Sequence, residues 1–209
     1  MTAGTIPSTL VANPASSGRS VTTGPDGMRI SGGEDRGRRL RSAKSASLRP
    51  TSERVRGALF SIVGAGVVEG ARVLDLYAGT GVLGIEALSR GASWADFVEV
   101  HAGRCRDIRA SLAELGFADR ARVHRGKVER ALDSLEGGYG LVLADPPYDD
   151  EPWEGLMGRL EVRQLLDEGG LLVAEHHHKS ELDDRYGGLV RQTERRYGDT
   201  SLSIYRAER

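Results

Sequence analysis

Two segments of this 209-residue chain place chemistry-bearing side chains at the ends of apolar runs. The first reads Asp75-Leu76-Tyr77-Ala78-Gly79-Thr80-Gly81-Val82-Leu83-Gly84, so Gly79, Gly81 and Gly84 spell G-x-G-x-x-G. Glycines at this spacing let a strand turn sharply into a helix and let a nucleotide approach the backbone. An acid closing the next strand, here Glu99, accepts hydrogen bonds from ribose hydroxyls. The loop alone fits two ligands. A dinucleotide would bring its pyrophosphate close to the Asp75 carboxylate and be repelled. S-adenosylmethionine carries no phosphate, and its ammonium suits an acid at that strand end, so Asp75 favours it. Hydrogen bonding of Asp75 to loop amides is a second role, compatible with the first.

The second segment closes the apolar run LVLA with Asp145-Pro146-Pro147-Tyr148. Two consecutive prolines fix the backbone and remove two amide donors, which holds the Pro146 carbonyl in place and ends the strand ladder. An acid, a rigid carbonyl and an aromatic ring at one strand end form a grip for a planar exocyclic amine. Asp145 and the Pro146 carbonyl accept its two N–H groups, drawing the nitrogen lone pair out of conjugation and toward a methyl sulfonium. Tyr148 stacks on the base, an interaction of ~1–3 kcal/mol.

Both segments need a sheet to hold them. After Gly70, the runs ARVLDLY, WADFVEV, ARVHR and YGLVLADPP alternate with the helical stretches VLGIEALSRG, RCRDIRASLAELG and a short helix near VERALDSL. A helix around WEGLMGRLEVRQLL, a strand GGLLVAEHH and a hairpin of LVRQTERRYG with TSLSIYRAE, turning at Gly198-Asp199, complete the pattern. This alternation predicts an α/β fold, a mostly parallel Rossmann-like sheet with helices on both faces and an antiparallel C-terminal hairpin. Upstream, MRISGG and GRRLRS flank a Gly- and charge-rich turn and predict a small basic β-hairpin. In LRPTSERVRGALFSIVG, Val55, Ala58, Leu59, Ile62 and Val63 form one apolar helix face. Thr51 or Ser52 caps that helix, and Arg54 and Arg56 project from its other faces toward solvent or a ligand.

The formal net charge of −1 hides an uneven distribution. Residues 1–27 balance at 0, residues 28–56 at +6 and residues 57–209 at −7. Arg29, Arg36, Arg38, Arg39, Arg41, Arg49, Arg54 and Arg56, with Lys44, therefore form a basic arm on an acidic body, a footprint suited to nucleic-acid phosphates. Residues 1–27, rich in Ser, Thr, Gly, Ala and Pro without apolar period, predict a disordered tail. No apolar run reaches the ~20 residues of a membrane span, so a soluble, cytoplasmic protein is expected. One cysteine, Cys105, excludes an intrachain disulfide and reads as an inert buried thiol. His176-His177-His178 lie on a strand, where neighbours alternate faces, so no metal site is expected there.

Asp75–Gly81 (DLYAGTG) together with Asp145–Tyr148 (DPPY) resembles the class I S-adenosylmethionine-dependent methyltransferases that modify exocyclic amines. Adding MRISGG…GRRL, LRPTSERVRGALFSI, GIEALSRGA, FVE, VAEHH and RRYGDTSLSIYR, residues 28–206 resemble the RsmD-type 16S ribosomal RNA guanine-N2 methyltransferases. The resemblance implies three parts: a tail (1–27), an RNA-gripping hairpin and helix (28–65), and a Rossmann-like methyltransferase domain (66–209). It implies a cofactor site at Asp75, Tyr77, Ala78, Gly79, Thr80, Gly81, Glu99, Val100, Gly126 and Lys127, and a catalytic site at Asp145, Pro146, Pro147 and Tyr148. Glu175 and His176 would line the target-base pocket. The expected partner is ribosomal RNA or a small-subunit assembly particle, bound by a monomer. One departure stands out: where the family has an acid after Arg-Gly to receive the adenine amine, this chain has Lys127, which cannot accept that bond, so backbone groups near Gly126 and Lys127 take over. The alternatives are an N6-adenine methyltransferase acting on DNA or RNA, an NAD-linked oxidoreductase, and a non-catalytic RNA-binding assembly factor.

Overall fold

The computed structural model describes residues 28–41, 52–147 and 152–208; the predicted tail, Arg49 and Tyr148 lie outside the described residues. Eight strands form one mixed sheet. In chain order they are β1 (Arg72–Leu76), β2 (Trp94–Glu99), β3 (Ala121–Arg125), β4 (Tyr139–Ala144), β5 (Leu166–His177), β6 (Arg185–Tyr186), β7 (Leu189–Tyr197) and β8 (Thr200–Ala207). The sheet order is β3-β2-β1-β4-β5-β8-β7-β6. β1 to β5 run parallel, and β8, β7 and β6 extend the sheet in antiparallel fashion. The order reverses between β1 and β4, the place where an open parallel sheet leaves a crevice for ligands beyond its C-terminal strand ends.

The helices are α1 (Glu53–Val63), α2 (Ala65–Val68), α3 (Val82–Ser89), α4 (Ala102–Leu115), α5 (Val128–Ser134) and α6 (Trp153–Val162). The central strands β1, β2, β4, β5 and β8 are buried on both faces, and two separate cores result. One face packs Val73, Phe97, Leu143, Val173 and Ile204 against Leu59, Ile85 and Ile108 of α1, α3 and α4. The other packs Leu74, Val98, Val142 and Leu172 against Leu132 of α5 and Leu156 and Met157 of α6. The helix predicted around residues 153–166 ends earlier, at Val162. Gln164 adopts a φ of 47°, and Leu166 already opens β5.

The predicted hairpin forms around a single antiparallel bridge, Arg29 to Arg39, with Ile30 N donating to Arg38 O at 3.0 Å and Leu40 N to Met28 O at 2.9 Å. Ile30 and Leu40 are buried in the same core as α1, α3 and α4. The α1 helix is capped by Ser52, whose hydroxyl accepts from Val55 N at 3.2 Å. Its buried face comprises Val55, Arg56, Leu59, Phe60 and Val63, which is rotated from the predicted face: Phe60 and Arg56 are inside, while Ala58 and Ile62 are half-buried.

Candidate active site

The loop between β1 and α3 turns through three left-handed residues, Tyr77 (φ 56°), Gly79 (φ 57°) and Gly81 (φ 75°). Its glycines do different work. A Cβ on Gly84 would lie 2.4 Å from the Phe97 ring, so α3 can pack on β2 only with glycine there. A Cβ on Gly81 would come within 2.9 Å of Ile108. Around Gly79, by contrast, a Cβ would meet only Tyr77 O at 3.7 Å, and this open backbone is what a ligand can approach.

Two carboxylates hold the loop. Asp75, buried at the end of β1, accepts Gly84 N at 2.9 Å. Burial raises its pKa well above the ordinary carboxylate value. The Gly84 hydrogen bond opposes that rise, and the nearby charges of Asp145 and Glu99 add to it. A buried carboxylate beside two others, and without a cation partner among the described residues, fits a cationic ligand group. Glu99, buried at the end of β2, accepts Gly79 N at 2.9 Å and His101 N at 2.7 Å, with Arg104 Nη1 at 3.7 Å. These bonds fix its orientation beside the loop, while two carboxylate oxygens retain lone pairs for hydroxyl donors. Val100, next in the chain, is 49 % exposed at the same edge. Thr80 Oγ1 donates to Met28 Sδ at 3.3 Å, which brings the hairpin to the loop.

Gly126 N donates to Glu99 O at 3.1 Å, and Lys127 occupies the N-cap position of α5 with an exposed side chain that makes no cap hydrogen bond. The amide of Gly126 is thus taken by the backbone.

Asp145 stands one residue beyond the last paired position of β4. Leu143 pairs with Val173 and with Asp75, and Ala144 with Ala174. By alternation Asp145 therefore shares the face of Leu143, Asp75 and Val173, with Glu175 next to it on β5. Asp145 is half-buried, Pro146 buried and Pro147 exposed. His176 belongs to the opposite face and does not join Glu175 as expected. It is buried 6.0 Å from the Trp153 ring, with Nδ1 3.0 Å from His177 O and Nε2 2.9 Å from Ser203 Oγ. Adjacent residues on an extended strand cannot line one pocket. Cys105 is buried, its thiol donates to Glu99 O at 3.3 Å, and burial raises its pKa.

The basic arm divides into exposed and buried cations. Arg36, Arg39 and Arg54 are exposed, as are Arg29, Arg38 and Arg41. Arg38 reaches Asp35 and the Glu114 carbonyl, and Arg41 pairs with Glu114, so both also tie the hairpin to α4. Arg56 is not a candidate for RNA contact. It is 2 % exposed, Nε lies 2.8 Å from Glu86 Oε2, and Nη2 donates to Arg29 O at 2.5 Å. Glu86 is the hub that residue spacing alone did not reveal. It is wholly buried on α3, and it also accepts from Ser31 N at 2.9 Å, Ser31 Oγ at 2.5 Å and Arg90 Nη2 at 2.7 Å.

A sheet with this strand order, a glycine loop after β1 and an acid ending β2 define a Rossmann-like methyltransferase fold. Residues 28–206 match the family described as "Conserved hypothetical protein 95", and the chain belongs to this family of RsmD-like methyltransferases. It is 36 % identical to "Putative rRNA methyltransferase YlbH" of Bacillus subtilis (strain 168) over 182 residues, covering 86 % of this chain and 98 % of that protein. It is 32 % identical to Ribosomal RNA small subunit methyltransferase D of Escherichia coli (strain K12) over 186 residues, covering 89 % and 93 %. Among solved structures, "Putative methyltransferase yhhF" from Escherichia coli superposes with a TM-score of 0.80 at 30 % identity, over 88 % of this chain and 99 % of that one.

Proposed function

We propose that this protein transfers a methyl group from S-adenosylmethionine to the N2 amine of a guanine in small-subunit ribosomal RNA. The observation that carries the reading is the placement of Asp75 and Asp145 on one face of the adjacent strands β1 and β4. One acid suits the ammonium of the cofactor and the other an amine acceptor, at the crevice of the sheet. The relatives named as ribosomal RNA methyltransferases supply the substrate class.

When bound, S-adenosylmethionine supplies an electrophilic methyl group. Asp75 meets the ammonium, Glu99 accepts the ribose hydroxyls, and Tyr77, Ala78, Gly79, Thr80, Gly81 and Val100 shape the cradle. Adenine recognition falls to backbone groups near Gly126 and Lys127. The target base is unpaired or turned out of its helix, because its amine is otherwise engaged. Asp145 and the Pro146 carbonyl accept the two N–H groups, Pro147 stiffens the turn, and Tyr148 stacks on the base. The amine grows acidic as it gains carbon, so Asp145 or water takes its proton and no metal is required. Rate enhancement comes mainly from alignment. Residues 1–27 serve as a tail and 28–65 as the RNA-gripping module, in a cytoplasmic monomer.

Methyl-labelled cofactor, offered with undermethylated small subunits, naked ribosomal RNA or DNA, tests this. Label in guanine N2 of small-subunit RNA is expected. Label in adenine, or none in any substrate, overturns the reading.

Asp75→Asn has two opposed effects. Burial raises the Asp75 pKa, so the native state binds a proton more readily than the unfolded chain. The resulting penalty is absent below the unfolded carboxylate value and grows as pH rises toward the folded one. Asparagine still accepts Gly84 N but carries no charge. The ligand-free variant should therefore melt above the parent at neutral pH, with the gain shrinking toward pH ~4, while calorimetry shows cofactor affinity reduced. A lower melting temperature at neutral pH would refute the burial argument.

Removing residues 28–50 is a poor probe of RNA contact, because it strips Ile30 and Leu40 from the core. Arg36→Gln with Arg39→Gln leaves the core intact. This pair should raise the KM for RNA and make its salt dependence shallower by about 1–2 in log–log slope, as two phosphate contacts require. An unchanged slope would assign the hairpin to packing.

A further inference from the structure

The hairpin is not the only basic surface. Residues 102–132 hold eight Arg and Lys against four Asp and Glu, a balance of +4 within a body that totals −7. These residues form α4, the outer strand β3 and the first turn of α5. Arg106, Arg109, Arg122, Arg125 and Arg130 are all exposed. Among the described residues, no ion pair is recorded for Arg106, Arg122, Arg125 or Arg130. Of the four acids, Glu114 is already matched by Arg41, and Asp107 lies within the field of the same guanidinium.

Charge on an outer strand has a simpler use, since it discourages pairing with a second sheet. That need accounts for Arg122 and Arg125. Arg109 Nη2 also serves this edge, donating to the Val123 carbonyl of β3 at 2.8 Å, but the same need does not account for Arg106 on α4 or Arg130 on α5. Arg109 and Arg125 both act on the Cys105 thiol, so cations from α4 and β3 converge. Two features connect this patch to the site. Arg125 pairs in register with Glu99, the acid that grips the glycine loop. On the far side Arg38 and Arg41 tie the hairpin to Glu114 at the end of α4. By alternation Arg125 lies on the α4 face of β3 and Arg122 on the α5 face, so the cations line both sides of this outer edge, from the hairpin end of α4 to the strand ends beside the cofactor loop.

We propose that the β3 edge, with α4 and the start of α5, is a second phosphate-binding surface for the RNA substrate, so that the RNA is held at this edge as well as at the hairpin. This rests on the reading of ribosomal RNA as substrate. The evenly charged RNA backbone fits an edge of exposed guanidiniums of which Arg106, Arg122, Arg125 and Arg130 have no ion-pair partner among the described residues; an acidic protein partner is the competing outcome.

The test is the triple variant Arg106→Gln, Arg122→Gln, Arg125→Gln, assayed on undermethylated small subunits beside the parent, the Arg36→Gln/Arg39→Gln variant and the corresponding triple lysine variant. The expected result is a KM for RNA raised about tenfold or more and a kcat at saturation within about twofold. The salt slope of kcat/KM should become shallower by about 2–3, from three phosphate contacts at ~0.7–0.9 each. Cofactor affinity should be unchanged, and lysine should restore most of the loss. A KM and salt slope equal to the parent, while the hairpin variant shifts both, would overturn the second surface and leave the proposed function standing. Loss that lysine does not restore would overturn it too, as the sign of a specific or structural contact. A parent protein that methylates no ribosomal RNA would instead remove the functional reading on which the surface depends.

Discussion

Asp145→Ala is expected to keep cofactor binding and to lose methyl transfer by about a thousandfold or more. The magnitude reflects what the side chain does in the proposed site: it holds the amine in line and accepts charge as the proton leaves. Removal of an oriented polar group of this kind costs about 100- to 1,000-fold, and misalignment adds to it. The fold should tolerate the change, because Asp145 lies beyond the last residue of β4 that pairs with its neighbours and is only half-buried. Its charge raises the pKa of Asp75, so removing it leaves Asp75 ionised more easily and does not weaken ammonium binding. Asp145→Asn should fall between parent and alanine, since an amide oxygen still accepts one N–H but takes no proton. Single-turnover transfer and equilibrium cofactor binding, measured on the same preparations, separate the two effects. Turnover near the parent rate would show that the amine is held by other groups.

Most of the sheet was legible because its strands are short apolar runs bounded by glycine, proline and charge. β1, β2, β3 and β4 fall inside the predicted runs, and the turn at Gly198-Asp199 lies where Tyr197 and Thr200 pair. The glycine loop was legible for the same reason, with chemistry added by Asp75 and Glu99. What escaped depends on partners distant in sequence. LEVRQLL continues a helical apolar period, yet Gln164 turns left-handed and the chain enters β5 alongside β4. β6 is two residues long and exists only through pairing with β7. Arg56 counted as one more cation in a basic run, because spacing within a helix says nothing of a glutamate 30 residues away. The charge total of residues 57–209 likewise concealed the cations of α4 and β3 by averaging them with acidic neighbours.

Arg56→Leu should be the most destabilising single substitution in the N-terminal module, by about 3–5 kcal/mol, because it leaves the Glu86 carboxylate buried without its buried cation partner. Arg90 still pairs with Glu86, but it is partly exposed and its second guanidinium nitrogen faces the same oxygen. The loss should also be local. Ser31, Gly32 and Arg29 lean on Glu86, Ser89 and Arg56, so the hairpin should loosen from α3 and become open to protease before the sheet unfolds. Since the hairpin meets the glycine loop through Met28 and Thr80, cofactor affinity should fall as well. Desolvation acts to raise the Glu86 pKa, but hydrogen bonds from Ser31 and Arg90 and the charge of Arg56 outweigh it and hold the value below normal. A depressed folded pKa contributes stability that is fully present above the unfolded carboxylate value, ~4.3, and is lost as pH falls through the folded value. The parent should therefore lose stability on acidification below that point, and Arg56→Leu should lose less over the same range. Replacing both partners, Arg56→Met with Glu86→Met, removes the buried charges together and should recover much of the stability, since apolar pairs of similar volume often match buried ion pairs. Thermal melts at neutral and acid pH, with limited proteolysis of the hairpin, read all three variants. A single Arg56→Leu variant as stable as the parent would show that Arg90 and Ser31 alone satisfy Glu86.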